Sequence, residues 1–199
     1  MSKIFKYTSV KDVVNFDGFL PGQKSRVSPN DVTYAVIADE TLENGQLVNL
    51  FREKDDHGTL ALFGKAITSA EDLNEVGVVL QDVKAQEFRT SFRPQFIYEY
   101  PENRAVSVLR KGYVYVPVQN SGAVTPESDV YVRTVASEDN ESLPVGGIET
   151  ASGEGLTKLE GAKFTGAYGY PLSGTNDGST VVNGLTGKTA EIVINFELI

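Results

Sequence analysis

The sequence predicts an all-β protein: a small β-barrel or jelly-roll-like sandwich with an extended N-terminal arm and long Gly/Ser/Thr-rich loops. Three observations carry this. From residue 31 onward, short runs rich in Val, Ile, Leu, Tyr and Phe recur along the chain, the composition that suits a pleated, half-buried surface. Turn-forming clusters separate them, "ENG" at 43–45, "DDHG" at 55–58 and "SAEDLNE" at 69–75, and short strands at regular spacing build sandwiches and barrels. Within "RKGYVYVPV" (110–118) the valines take even numbers and the tyrosines odd ones, so a strand there sends valine to one face and tyrosine to the other.

In chain order, residues 1–30 form an arm. They hold apolar and aromatic side chains without a sustained period, and Ser9 is placed to cap a short helix over 10–16. "GFLPGQKSRVSPND" carries two glycines and two prolines and reads as irregular or extended. The body, 31–199, opens with the runs 32–37, 46–51, 59–67 and 76–83, and the cluster at 69–75 suits one helical turn. Further runs fall at 96–100, 105–110, 113–118, 129–136 and 190–198. Residues 146–187 are rich in Gly, Ser and Thr but keep the anchors Leu156, Leu159, Ala162, Phe164, Tyr168 and Tyr170, which predicts long ordered loops around one or two strands. The last run sets Ala190, Ile192, Ile194, Phe196 and Leu198 on one parity, a half-buried strand. Pro117 lacks an N–H, which places 113–118 at or near a sheet edge or at a bend. At a constant offset of 82, Val32, Tyr34, Val36, Leu42, Val48 and Leu50 fall on Val114, Val116, Val118, Val124, Val130 and Val132. Two related β-units, 31–83 and 112–199, joined by an aromatic and basic connector over 84–111, would produce this echo. Chance agreement between two alternating segments would produce it too.

Composition narrows the function. Without Cys, thiol chemistry, disulfides and Cys-ligated metals are out. No apolar run is long enough for a membrane helix. The start, MSKIFKYTSVKDVV, lacks the apolar core of a signal peptide, so synthesis in the cytosol is expected. His57, the one His, sits in a polar turn and reads as an exposed loop residue. No Gly-rich nucleotide loop or nucleophile elbow appears, and "SEDNES" (137–142) lacks the spacing of a calcium loop. A carboxylate pair for glycoside cleavage is compatible with 27 acids, although no Trp is present. No enzyme activity, cofactor or metal is expected.

The formal charge of −9 argues against nucleic-acid partners. Residues 1–30 nevertheless carry five cations against two acids, and 84–111 six against three. Two basic segments therefore sit on an acidic remainder, a pattern suited to docking on an acidic partner or on another subunit. "EFRTSFRPQFIYEY" (87–100) interleaves Phe88, Phe92, Phe96, Tyr98 and Tyr100 with Arg89 and Arg93. Such a segment feeds a strand into its own core, or forms an interface rich in aromatics and Arg. The interface candidates are Phe5, Tyr7, Phe16 and Phe19 in the arm; Arg89, Phe92, Arg93, Phe96, Tyr98 and Tyr100 in the connector; and Tyr113 and Tyr115 in the following strand.

An ordered series of motifs runs through nearly the whole chain, from about residue 20 to 199. It begins with Pro21-Gly22-Gln23, Leu42…Gly45…Leu47-Val48 and Gly77-Val78-Val79. Tyr100, Val106, Val108, Leu109, Gly112, Val114 and Val116 follow in "YPENRAVSVLRKGYVYVPV". Val124…Val130-Tyr131-Val132, Gly161-Ala162…Phe164 and Ala190-Glu191-Ile192 complete it. In order and spacing the chain resembles the structural cement, or head decoration, proteins of tailed bacteriophages; the stretches 137–158 and 165–187 are longer than that pattern. The resemblance implies a non-catalytic β-barrel or jelly-roll-like protein on the outer surface of the virion. Its implied partners are the phage major capsid protein, whose neighbouring subunits it would bridge, and copies of itself, a homotrimer being favoured over a homodimer. No nucleic acid or membrane is implied. The alternative is a carbohydrate-binding or host-attachment module on the virion surface, using the Tyr-rich stretch 164–170.

Overall fold

The computed structural model describes residues 21–54, 57–81, 83–84, 95–96, 99–119, 122–136, 143–169 and 188–196. In chain order the strands are β1 (Lys24–Arg26), β2 (Val32–Ala38), β3 (Leu42–Glu43), β4 (Leu47–Lys54), β5 (Leu60–Ala66), β6 (Val76–Val79), β7 (Val83–Lys84), β8 (Gln95–Phe96), β9 (Glu99–Tyr100), β10 (Ala105–Val118), β11 (Asp129–Arg133), β12 (Ile148–Glu149), β13 (Leu156–Gly169) and β14 (Lys188–Asn195). The expected helical turn is a 3-10 turn at Glu71–Asn74. Asp72 holds it: one carboxylate oxygen accepts from the Thr68 and Ser69 N–H groups and the Thr68 hydroxyl, the other from the Asn49 amide. No α-helix occurs among the described residues.

The main sheet closes on itself twice, which makes the all-β expectation concrete. Strands β2, β5, β4, β6 and the first half of β10 form one ring; the second half of β10 with β12, β11, β13 and β14 forms another. The wiring is the same in both. Counted along the chain, the first and third strands of each ring pair parallel (β2 with β5, β10 with β12). All other neighbours pair antiparallel. Individual pairs correspond as well. Asn49 faces Lys65 as Tyr131 faces Glu149, and Val108 faces Val79 as Ile192 faces Phe164. Two small pairings, β3 with β9 and β7 with β8, lie outside the rings.

Alternation explains what is buried. Val36, Leu50, Val79, Val106 and Val108 share one cluster with Leu42 and Tyr100. Val114, Val116, Val130, Val132, Phe164 and Ile192 belong to a second. Strand β6 is buried along all four residues: Val79 joins the first cluster, Val76 and Val78 the second. A strand covered on both faces reads as a continuous apolar run, as "VGVV" does. Ala190, Ile192, Ile194 and Phe196 are buried on one parity, as the sequence predicts; Leu198 lies outside the described residues.

Three features differ from the sequence reading. The runs 105–110 and 113–118 are one 14-residue strand. The pairing with β2 shifts register between Leu109 and Lys111 without ending the strand, and Gly112, just past the shift, takes a φ of 138° that glycine tolerates. Residues 156–169, read as mainly loop, are a second strand of 14 residues; β-bulges at two places along it dilute the alternation that a sequence scan looks for. Finally, Pro117 lies within β10, opposite Thr189 of β14. The Tyr115 N–H donates to Gln23 O and its C=O accepts from Gly22 N–H. The odd-numbered backbone groups here thus point away from β14, and the missing donor of Pro117 breaks no bond of the β10–β14 ladder.

Candidate interaction surface

Residues 21–31 are pinned to the rest of the chain by backbone and by charge. Pro21 and Gly22 are buried. Gly22 donates to Tyr115 O at 2.8 Å and accepts from Gln81 N–H at 2.9 Å, and Tyr115 N–H donates to Gln23 O at 3.0 Å. The following β1 pairs with β10, Lys24 facing Val114 and Arg26 facing Tyr113. Lys24 Nζ binds the Asp31 carboxylate at 3.1 Å, and that carboxylate also accepts from the Ser28 N–H. Residues 22–26 therefore join the rest of the chain at the strand common to both rings.

Arg26 completes the attachment. Its Nε and Nη2 donate to the two oxygens of Glu191 at 3.3 and 3.1 Å, and its guanidinium carbon lies 4.6 Å from the centre of the Tyr113 ring. Such a fork on a carboxylate, with the guanidinium plane over an aromatic ring, is a geometry that Lys does not reproduce. The Arg26 side chain is 58% exposed while that of Glu191 is 3% exposed. The Thr165 hydroxyl also donates to Glu191. Burial pushes the Glu191 carboxyl up, but hydrogen bonds from Thr165 and Arg26, with the charge of Arg26, outweigh it and hold the group below the usual carboxylate range. A carboxyl depressed on folding contributes stability above its unfolded pKa, and that contribution is lost as pH falls through the folded value. Wild-type protein should therefore lose stability on acidification below about pH 4.5, the ordinary value for the group. Glu191→Gln should flatten that part of the profile. Denaturation midpoints measured against pH check this; parallel profiles for the two proteins would remove Glu191 as its source.

The structure places few of the sequence candidates in one region. Tyr113 and Tyr115 are half-buried beside the arm attachment, with their neighbours Val114 and Val116 fully buried. Tyr100 lies in the chain's own core, its hydroxyl donating to Leu80 O at 2.9 Å, and offers no exposed surface. Phe5, Tyr7, Phe16, Phe19, Arg89, Phe92, Arg93 and Tyr98 lie outside the described residues, as does the side chain of Phe96. The candidate helix over 10–16 lies outside them too. In the Tyr-rich stretch, Tyr168 is half exposed at the end of β13, and Tyr170 falls outside. Sequence reasoning missed Arg26 and Glu191. The available signal was an acid on the odd parity of "AEIVI", in register with Tyr115. No cluster of His, Cys, Asp or Glu able to hold a metal occurs among the described residues. No described helix is long and apolar enough to cross a membrane.

Residues 13–195 match the family model for the phage structural cement protein (E217 gp24/Pam3 gp6). The chain belongs to the structural cement protein family. Membership gives this cement-family chain a structural, capsid-associated role in the virion. A solved structure titled "The capsid of Myoviridae Phage XM1" contains a similar chain, at 14% identity and a TM-score of 0.47, covering 90% of this chain and 92% of that one. No curated protein matches the sequence.

Proposed function

We propose that this protein decorates the outer surface of a phage head and bridges neighbouring major capsid subunits, working as an oligomer with no catalytic step. Family membership supports the setting. The observation that carries the mechanism is the pinned attachment of the arm. Backbone bonds at Gly22 and Gln23 and the Arg26–Glu191 pair fix residues 22–26 on the body. Residues 1–20 bring Phe5, Tyr7, Phe16 and Phe19 together with three lysines, a chemistry for burying aromatics on an acidic or mixed surface. Beside the attachment, Val27 is 89% exposed and adds an apolar contact. Arm and body thus reach different subunits from one rigid origin. Repeated over a lattice, modest contacts of this kind gain avidity without any one of them being strong.

The test is deletion of residues 2–19. The truncated protein should keep its fold by circular dichroism yet fail to co-sediment with isolated heads at the copy ratio of the full chain. Full occupancy by the truncated protein would sink the arm mechanism.

A further inference from the structure

The first ring carries a second surface, remote in sequence from the arm. Ile37, Phe63 and Phe51 stand side by side across β2, β5 and β4, Ile37 in register with Phe63 and Phe63 with Phe51. Val36 and Leu50, of opposite parity, fill the ring, so this row faces outward. All three side chains are half-buried, and Ala105, next along the row beside Ile37, is exposed. The two Phe rings stack with centroids 5.7 Å apart. Lys65 Nζ lies 5.8 Å from the Phe51 ring, and Glu53 is exposed on the same face, two residues beyond Phe51. A cation and an anion therefore flank the aromatic pair at opposite ends along the strands.

The second ring shows what the same place looks like when it is closed. Arg133 stands there in the position of Phe51, and Glu149 in that of Lys65. The two form an ion pair, with side chains 8% and 7% exposed. The neighbouring segment continues the ladder beside it, Gly146 N–H donating to Arg133 O and Arg133 N–H to Gly147 O, so a glycine stands there in the position of Phe63. In the first ring that place holds apolar rings in partial contact with solvent.

We propose that the Ile37–Phe63–Phe51 face is a self-contact, in which two copies meet about a two-fold axis running along the row. An axis in that direction exchanges the two ends of the strands. The Lys65 end of one copy then faces the Glu53 end of the other, the two charges one strand apart on β5 and β4, with the aromatic pairs meeting between them. Such self-complementarity is the requirement for an isologous contact. A three-fold arrangement needs two different complementary patches, so this face makes a pair rather than the trimer favoured on sequence. The face is much smaller than a standard interface of ~20–30 residues a side, so the pair is weak and concentration-dependent in solution. The inference does not depend on shell binding.

Sedimentation of the full chain over a concentration series, without heads, tests it. Wild type should show a monomer–dimer equilibrium. Lys65→Glu and Glu53→Lys should each weaken it by about tenfold, since two attractive pairs become two repulsive ones. An equimolar mixture of the two variants should recover the dimer, because a mixed pair matches every charge. Phe63→Ser, checked for fold by circular dichroism, should also weaken it. A wild-type trimer, a wild-type monomer at every concentration, or a mixture no better than the single variants overturns the proposal.

Discussion

Replacing Arg133 with Met should lower folding stability by about 3–5 kcal/mol. Its Nε and Nη2 both donate to Oε1 of Glu149, at 2.9 and 2.5 Å, with both side chains more than nine-tenths buried. Removing the guanidinium leaves a carboxylate that has lost its water and gained nothing in return. The companion Arg133→Met/Glu149→Leu should regain most of the loss, because two buried charges stabilise a fold little more than apolar groups of similar volume do. Urea titration of wild type, both single variants and the double variant gives the coupling. A single variant that loses less than about 1 kcal/mol, the range of exposed pairs, would show that water reaches the pair.

Gly22→Ala should be nearly as damaging, at roughly 3 kcal/mol, and its effect should concentrate on the arm. Gly22 has φ 76°, and an added Cβ would stand 2.8 Å from both Gln81 N and Val79 O and 2.9 Å from Gly45 N. All three are backbone atoms, so no side chain can turn aside. The attachment must lift, breaking the bonds to Tyr115 and Gln81. Trypsin cleavage after Lys24 and Arg26 should therefore become much faster than in wild type, while the core strands keep their protection from hydrogen exchange. Unchanged cleavage would mean that the attachment is held by Arg26 and Lys24 and not by this backbone junction.

These sites show why parts of the protein are legible in sequence. The period of two in "RKGYVYVPV" and "TAEIVINFELI" reads out the core because a one-residue slip would exchange every inward for every outward side chain. Strand β13 was obscured because its pairing shifts at bulges, and its glycines resemble those of a loop. The offset of 82 links matching places only in β4 and β11, Leu50 beside Gly64 and Val132 beside Ile148; in β2 and β10 the matching offset is 80, Ala38 facing Gly64 as Val118 faces Ile148. The closure of each ring depends on pairings between strands distant in the chain, and no local pattern encodes those. The Arg26–Glu191 attachment was hidden for the same reason: its two members are 165 residues apart, and either alone is an ordinary charged residue. Tyr100 had the opposite fault. Its place in an aromatic series pointed outward to a partner, while its hydroxyl satisfies a backbone carbonyl inside the core.

Strand β10 has a mechanical consequence. It is one continuous segment of chain, its first half closing one ring and its second half opening the other. The arm attaches beside its second half, through β1 lying antiparallel to it. A pull on the arm along the strand axis loads the Gly22, Gln23 and β1 contacts together, in shear; a pull at right angles would peel them one by one. Tension passed into β10 reaches both rings through covalent bonds, without crossing a soft interface between them. Resistance to such a pull is a rate of forced opening and not an equilibrium, so the protein's endurance under strain is set by the direction in which its arm is drawn.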